Sequence, residues 1–313
     1  MKFWTDMPGL FRYPPLFEPW QAELGPADFQ LVARTAERLG FDAISVPEHI
    51  VMPLGEVSTM GAYWPHAMTA MSFIAGATSR IAVNAAVIVL PYHHPVILAK
   101  AIATLDVLSG GRVIVSVGVG HTEHEFDVLG VPFHERGAIA DDSLAAMIEL
   151  WTSDDPRHHG THVDFEGIAF EPKPTTKPHP PVWIGGNSRA AMRRAARHDG
   201  WVPWLITADR LPECLDYIAS QPESQARTRP FDVSMGVTTV GVDEDHRPVD
   251  PSARPPLPAG TAQMVDAVGR LAEAGVTWTV IPRRPAASLA EYLDQLCWAG
   301  EEILPVFRSA PPG

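Results

Sequence analysis

The sequence predicts an α/β fold, a (β/α)8 barrel with inserted segments, and two observations carry that prediction. The first is the stretch 81–120, which reads IAVNAAVIVLPYHHPVILAKAIATLDVLSGGRVIVSVGVG. It contains an apolar strand, a helix opened by Pro95 and closed by Gly110 and Gly111, and a second apolar strand with a glycine-rich end: one βαβ unit. Both strands are apolar on both faces, as in a parallel sheet covered by helices. Ile97, Leu98, Ala101, Ile102, Leu105 and Leu108 recur at helical spacing between them. The second observation is alternation along the whole chain. Eight strand candidates are separated mainly by helices, and no GxGxxG follows the first strand to signal a doubly wound dinucleotide-binding sheet. A length of 313 residues suits one large barrel or two ordinary domains and does not choose between them; with the alternation, one barrel domain over 1–313 is expected.

In order, residues 2–5 serve as the first strand and lead into a proline- and aromatic-rich loop through Gly25. From Pro26, the positions Phe29, Val32, Ala36 and Leu39 make an apolar helix face, and Gly40 supplies its C-terminal cap. Residues 41–46 read as strand two, ending in Pro47, Glu48 and His49, polar groups where a barrel strand meets its loop. As a bare pattern, His49 is either a water-exposed loop histidine or part of a site. In loop 51–66, Tyr63 and Trp64 either wall a pocket or pack under the loop. Residues 67–78 form the second helix, and the βαβ unit supplies strands three and four.

Beyond Gly120 comes HTEHEFDVLGVPFHERG, dense in histidine and carboxylate. His121, His124, Glu123 and Glu125 offer metal donors, yet HExxH or similar helical spacing is missing. A solvated loop entering an amphipathic helix explains the polarity more simply, and no metal is expected. A helix follows over 138–152 and a hairpin over 158–170, so 121–180 is the largest insertion. Pro180 and Pro181 introduce VWIGG, a buried strand ending in Gly185 and Gly186, with Asn187 or Ser188 capping a helix that runs through Arg197. Alone, this is an ordinary βα turn or an anion cradle at a helix start. Arg193, Arg194 and Arg197 lie past the first turn and read as a solvated face. Residues 199–201 open strand six, 211–220 form a helix, and 231–242 read as strand seven. A proline- and charge-rich loop over 243–260 is mobile by composition. Helix 261–274, strand eight over 276–281, and a capping box from Ser288 to Glu291 complete the series.

Composition narrows the function classes. A formal charge of −13, with no basic run or repeat, argues against nucleic-acid binding. Cys214 and Cys297 are too few for a disulfide framework and lack metal-like spacing. No stretch approaches the roughly 18 apolar residues of a membrane helix, so a cytoplasmic protein is expected.

The runs LPYHHP, AKAIATLDVLSGGR and VGVG, followed by Glu125, LGVPF, ERG and PPVWIGGNSRAAMRRAARHDGW, closely resemble the bacterial luciferase-like superfamily of flavin- and deazaflavin-dependent oxidoreductases. The likeness covers most of residues 27–204. It implies a TIM barrel with inserted segments and a cofactor at the C-terminal mouth of the strands. It implies an active-site histidine at His49 facing the redox ring. The cofactor would be held by Asn84, Ala85, Ala86, Gly120, Gly185, Gly186, Asn187 and Ser188, with Ala85 and Ala86 beneath a flat ring and turn 185–188 on its phosphate. It also implies a non-prolyl cis bond in strand three, expected between Ala85 and Ala86. Some deazaflavin members carry a glutamate after the strand-four glycine; this chain has His121 there, which leaves His49 and His121 as candidate acids.

The motif set most resembles the deazaflavin branch, which implies hydride transfer between coenzyme F420 and a small organic substrate, and a homodimer. The alternative is an FMN-dependent monooxygenase of the luciferase type, supplied with reduced flavin by a partner reductase. Two readings of other classes are a metal-dependent hydrolase on the same barrel and a cofactor-binding protein without catalysis. Metal analysis and turnover discriminate these.

Overall fold

The structure, a computed structural model, describes residues 1–237 and 257–308. Its frame is eight parallel strands: β1 (Lys2–Asp6), β2 (Ala43–Val46), β3 (Ala82–Val89), β4 (Val113–Gly118), β5 (Val182–Gly185), β6 (Gly200–Val202), β7 (Asp232–Val233) and β8 (Trp278–Val280). They pair in the order β8-β1-β2-β3-β4-β5-β6-β7. A parallel bridge between Ser234 and Trp278, with the Met235 N–H donating to the Trp278 carbonyl at 3.0 Å, brings β7 to β8 and closes the barrel. Outside lie α1 (Pro26–Leu39), α2 (Ala67–Ala77), α3 (Pro95–Ser109), α4 (Glu123–Leu129), α5 (Arg136–Thr152), α6 (Arg189–Ala196), α7 (Leu211–Ala219), α8 (Thr261–Glu273) and α9 (Leu289–Trp298). No helix among the described residues is long and apolar enough to cross a membrane.

Local chemistry sets the boundaries. Pro26 opens α1, Asp28 accepts the Gly25 N–H at 2.9 Å, and Gly40 ends the helix at φ 87°. In α3 the buried stripe is narrower than the apolar pattern: Leu98, Ile102 and Leu105 face the sheet, whereas Ile97 and Leu108 are exposed. At α9, Ser288 accepts the Glu291 N–H at 3.3 Å, while the Glu291 carboxylate accepts from Ala287 rather than from Ser288.

Period-two alternation fills the lumen in layers. Trp4, Ala43, Ala82, Ile114, Trp183 and Trp278 pack its N-terminal end. Two residues further along β2, β3 and β4 lies a polar layer. Asn84 donates to Ser45 at 3.2 Å and accepts from Ser116 at 2.8 Å, all three side chains being buried. One layer higher is the C-terminal mouth.

The insertion contains α4, α5 and the expected hairpin, whose two short strands pair His158 with Phe165 and His159 with Asp164. Asp142 on α5 pins it by accepting the His162 and Val163 N–H groups at 2.6 and 3.1 Å and contacting His158 Nε2 at 2.6 Å. The structure corrects the reading of Arg194 as a solvated residue. It is buried against α5, paired with Asp141 through Nε and Nη2, both at 2.9 Å, and donates to the Gly137 carbonyl at 3.0 Å. Among the described residues strand seven covers Asp232–Val233 of its expected span, and residues 238–242, with most of the 243–260 loop, lie outside the described residues.

Candidate active site

Parallel strands bring every βα turn to one end of the barrel, so residues distant in sequence meet there. The loop after β2 carries Glu48 and His49, the turn after β3 carries Tyr92 and His93, and the first turn of α4 carries Glu125. His49 Nδ1 lies 3.1 Å from Glu125 Oε2, across 76 residues of chain. The same oxygen accepts the Tyr92 hydroxyl at 2.8 Å, while Oε1 accepts the Ile50 and Val51 N–H groups at 2.5 and 3.1 Å. Glu125 is fully buried. Burial alone would raise its pKa, but the His49 hydrogen bond and charge, the Ile50 amide and the Tyr92 hydroxyl outweigh that, and the carboxyl is held below its ordinary value. Tyr92 is pushed far the other way by burial and by the Glu125 charge, so its hydroxyl stays protonated and donates.

A second pair stands beside the first. Buried Glu48 accepts the Val89 N–H at 3.1 Å and contacts His93 Nε2 at 2.9 Å, both through Oε2. The two carboxylates thus lace the β2 loop to the β3 turn and to α4. Over His49 sits an aromatic wall: the Trp64 ring meets it edge-on at 4.7 Å and in turn stacks on Phe11 at 5.6 Å. Tyr63 lies outside this wall, exposed, with the Arg12 guanidinium over its ring at 4.5 Å. The His121 ring stands 5.9 Å from that of His49 at an interplanar angle of 89°, so the two candidate acids adjoin at the mouth.

Strand β3 differs by one residue from expectation. Between the pairs Ala85↔Val115 and Ile88↔Val117, β3 advances three residues against two on β4, which is a bulge. The cis bond is Ala86–Val87, not Ala85–Ala86. Asn84 and Ala85 are buried, whereas Ala86 and Val87 are half-buried and form the ledge at the mouth. Val87 also explains two glycines: a Cβ on Gly118 would lie 2.8 Å from its Cγ2, and one on Gly185 would lie 3.1 Å from its Cγ1. At Gly120, with φ 80°, a Cβ would come within 2.8 Å of Val89 and 2.9 Å of Phe126. Gly118, Gly120 and Gly185 are therefore small because the mouth's own side chains occupy the space.

The β5–α6 turn is organised in a similar way. Gly186 has φ 109°, donates to the Val202 carbonyl at 3.1 Å and accepts the Trp201 indole N–H at 2.8 Å. Asn187 is tied to the Trp204 backbone, donating to its carbonyl and accepting its N–H at 2.8 Å. Ser188 caps α6 by accepting the Ala191 N–H at 3.1 Å. By helix geometry the Arg189 and Ala190 amides have no acceptor within α6, and this end of the helix favours an anion.

A family model described as luciferase-like monooxygenase matches residues 16–302. The chain belongs to the luciferase-like monooxygenase family. It is 33% identical over 174 residues to an FMNH2-dependent dimethylsulfone monooxygenase of Pseudomonas putida, covering 54% of this chain and 46% of that relative. It is 30% identical over 185 residues to an F420-dependent glucose-6-phosphate dehydrogenase of Amycolatopsis mediterranei, covering 58% and 54%. A monooxygenase structure from Streptomyces bottropensis superimposes with a TM-score of 0.76 at 19% identity, over 98% of this chain and 100% of that one. The fold is thus the luciferase-like TIM barrel.

Within this luciferase-like barrel, the structure gathers His49, His121, Ala86, Gly120 and residues 185–188 at one mouth and places Asn84 and Ala85 in buried layers below it. At this mouth β3 presents the half-buried Ala86 and Val87. Sequence reasoning offered Glu125 as a metal donor and as one residue of the family motif, without pairing it to His49; in the structure it is turned to His49, while Glu123 approaches exposed His134 at 3.9 Å. Among the described residues no group of three or more His, Cys, Asp or Glu is arranged to hold a metal ion. The signal for its burial was local: Glu125, Phe126 and Leu129 share one side of a short helix, and Phe126 is a core residue.

Proposed function

We propose that this luciferase-like protein transfers a hydride between deazaflavin coenzyme F420 and a small organic substrate. The observation that carries the reading is the mouth itself: a small-residue ledge, a helix-start turn and an acid–base histidine with a buried carboxylate partner, all at the C-terminal end of one barrel. The match of LPYHHP, ATLDVLSGGR and WIGGNS and the F420-dependent relative support the choice of ring.

In this reading Ala86 and Val87 support the ring, the α6 start holds phosphate, and Trp64 helps exclude water. His49 handles the proton that accompanies the hydride. The bound deazaflavin supplies a two-electron carrier that reacts poorly with oxygen. A second reading is an FMN-dependent monooxygenase, supported by the FMNH2-dependent relative.

Titration with each cofactor under an oxygen electrode separates the two. The expected result is tighter binding of the deazaflavin than of FMN, and no oxygen consumption when the reduced deazaflavin is bound. Stoichiometric oxygen uptake with reduced FMN, together with no affinity for the deazaflavin, would establish the second reading instead.

A further inference from the structure

We propose that Glu125 is a positioning residue that locks the His49 imidazole in the Nδ1–H tautomer and leaves its Nε2 as a bare acceptor. The inference follows from counting donors. A carboxylate has about four lone-pair sites and, when ionised, no hydrogen to give. Three donors converge on Glu125, the Tyr92 hydroxyl on Oε2 and the Ile50 and Val51 amides on Oε1, and His49 Nδ1 lies 3.1 Å from Oε2 as the fourth contact. Both amides are fixed donors, and the environment keeps the Tyr92 hydroxyl protonated and the Glu125 carboxyl ionised. Nothing on the carboxylate can donate to His49, so Nδ1 itself carries the hydrogen. In the neutral ring the opposite nitrogen then has none.

The neighbouring pair shows that this choice is particular to His49. Glu48 holds His93 through Nε2, the other ring nitrogen. A bare Nε2 meets a hydrogen-bond donor on its ligand, or takes up a proton before it can deliver one. An O–H or N–H group on the molecule facing His49 fits that edge. The consequence for catalysis rests on the reading of His49 under Proposed function; the tautomer does not.

The test is NMR of the full-length protein without cofactor, labelled with nitrogen-15 at histidine and observed at mildly alkaline pH, with the His49 signals assigned by their loss in His49→Gln. The expected spectrum has a protonated Nδ1 and an unprotonated Nε2. Glu125→Gln is expected to reverse it. The glutamine oxygen stays with the two backbone amides, which turns its NH2 group toward Nδ1 and selects the Nε2–H form. Tyr92→Phe removes a donor but keeps the carboxylate, so it should retain the wild-type tautomer and serves as the variant least able to disturb folding. A wild-type ring in the Nε2–H form, a ring still doubly protonated at that pH, or a Glu125→Gln spectrum with unchanged tautomer would overturn the proposal. Failure of deazaflavin binding with the expected tautomer would instead overturn the cofactor reading and leave the positioning role standing.

Discussion

Replacing His49 by alanine is expected to lower turnover with the deazaflavin by about 10²–10⁴, the usual contribution of a positioned acid–base group. Cofactor affinity should stay within a few-fold, because the ledge at Ala86 and Val87 and the α6 start are on other elements. The comparison needs a rate and a binding titration on the same preparation. A rate that does not change would transfer proton handling to His121, whose ring lies 5.9 Å away, or to water.

The second large effect is on stability. Glu125→Ala would leave the His49 ring, the Tyr92 hydroxyl and two amides without their shared acceptor in a buried place. Removing one partner of such a buried network costs about 3–5 kcal/mol. Denaturant unfolding, with an unchanged slope and a lower midpoint, measures it. The same carboxylate gives a pH signature. Because its folded pKa is lowered, its contribution is fully present above the unfolded carboxylate value and is lost as pH falls through the folded one. Glu125→Gln should therefore show a shallower loss of stability on the acid side. Part of that loss will persist, because Glu37 and Asp142 are also lowered, each by accepting backbone amides that outweigh its burial. An acid limb identical to that of the wild type would contradict the hydrogen-bonded, ionised state assigned to Glu125.

The barrel was legible because its signals are local. Apolar strands, Pro-opened helices and glycine stops at Gly40, Gly110 and Gly111 each report on a few neighbouring residues, and all three glycines adopt positive φ in the structure. What escaped depends on register and distance. The bulge in β3 is displaced by one residue because the pairing with β4 places it, and a run of small residues does not specify that phase. Arg194 is buried because α5, part of the insertion, presents Asp141 to it. The Glu125–His49 pair joins residues 76 apart, and the apolar neighbours Phe126 and Leu129 signal only that Glu125 is turned inward, without naming its partner. His49 itself was readable only through its place after a barrel strand and the family resemblance.

A crystal structure of the protein with the deazaflavin bound tests the placement of the cofactor most directly. The ring should lie against Ala86 and Val87 with His49 beside it, and the phosphate should meet the turn from Gly186 to Ser188. Density instead in the cavity of about 600 Å³ at the N-terminal end of the barrel, lined by Glu37, Asp42, Arg80 and Arg308, would contradict that placement and remove the mouth from its role.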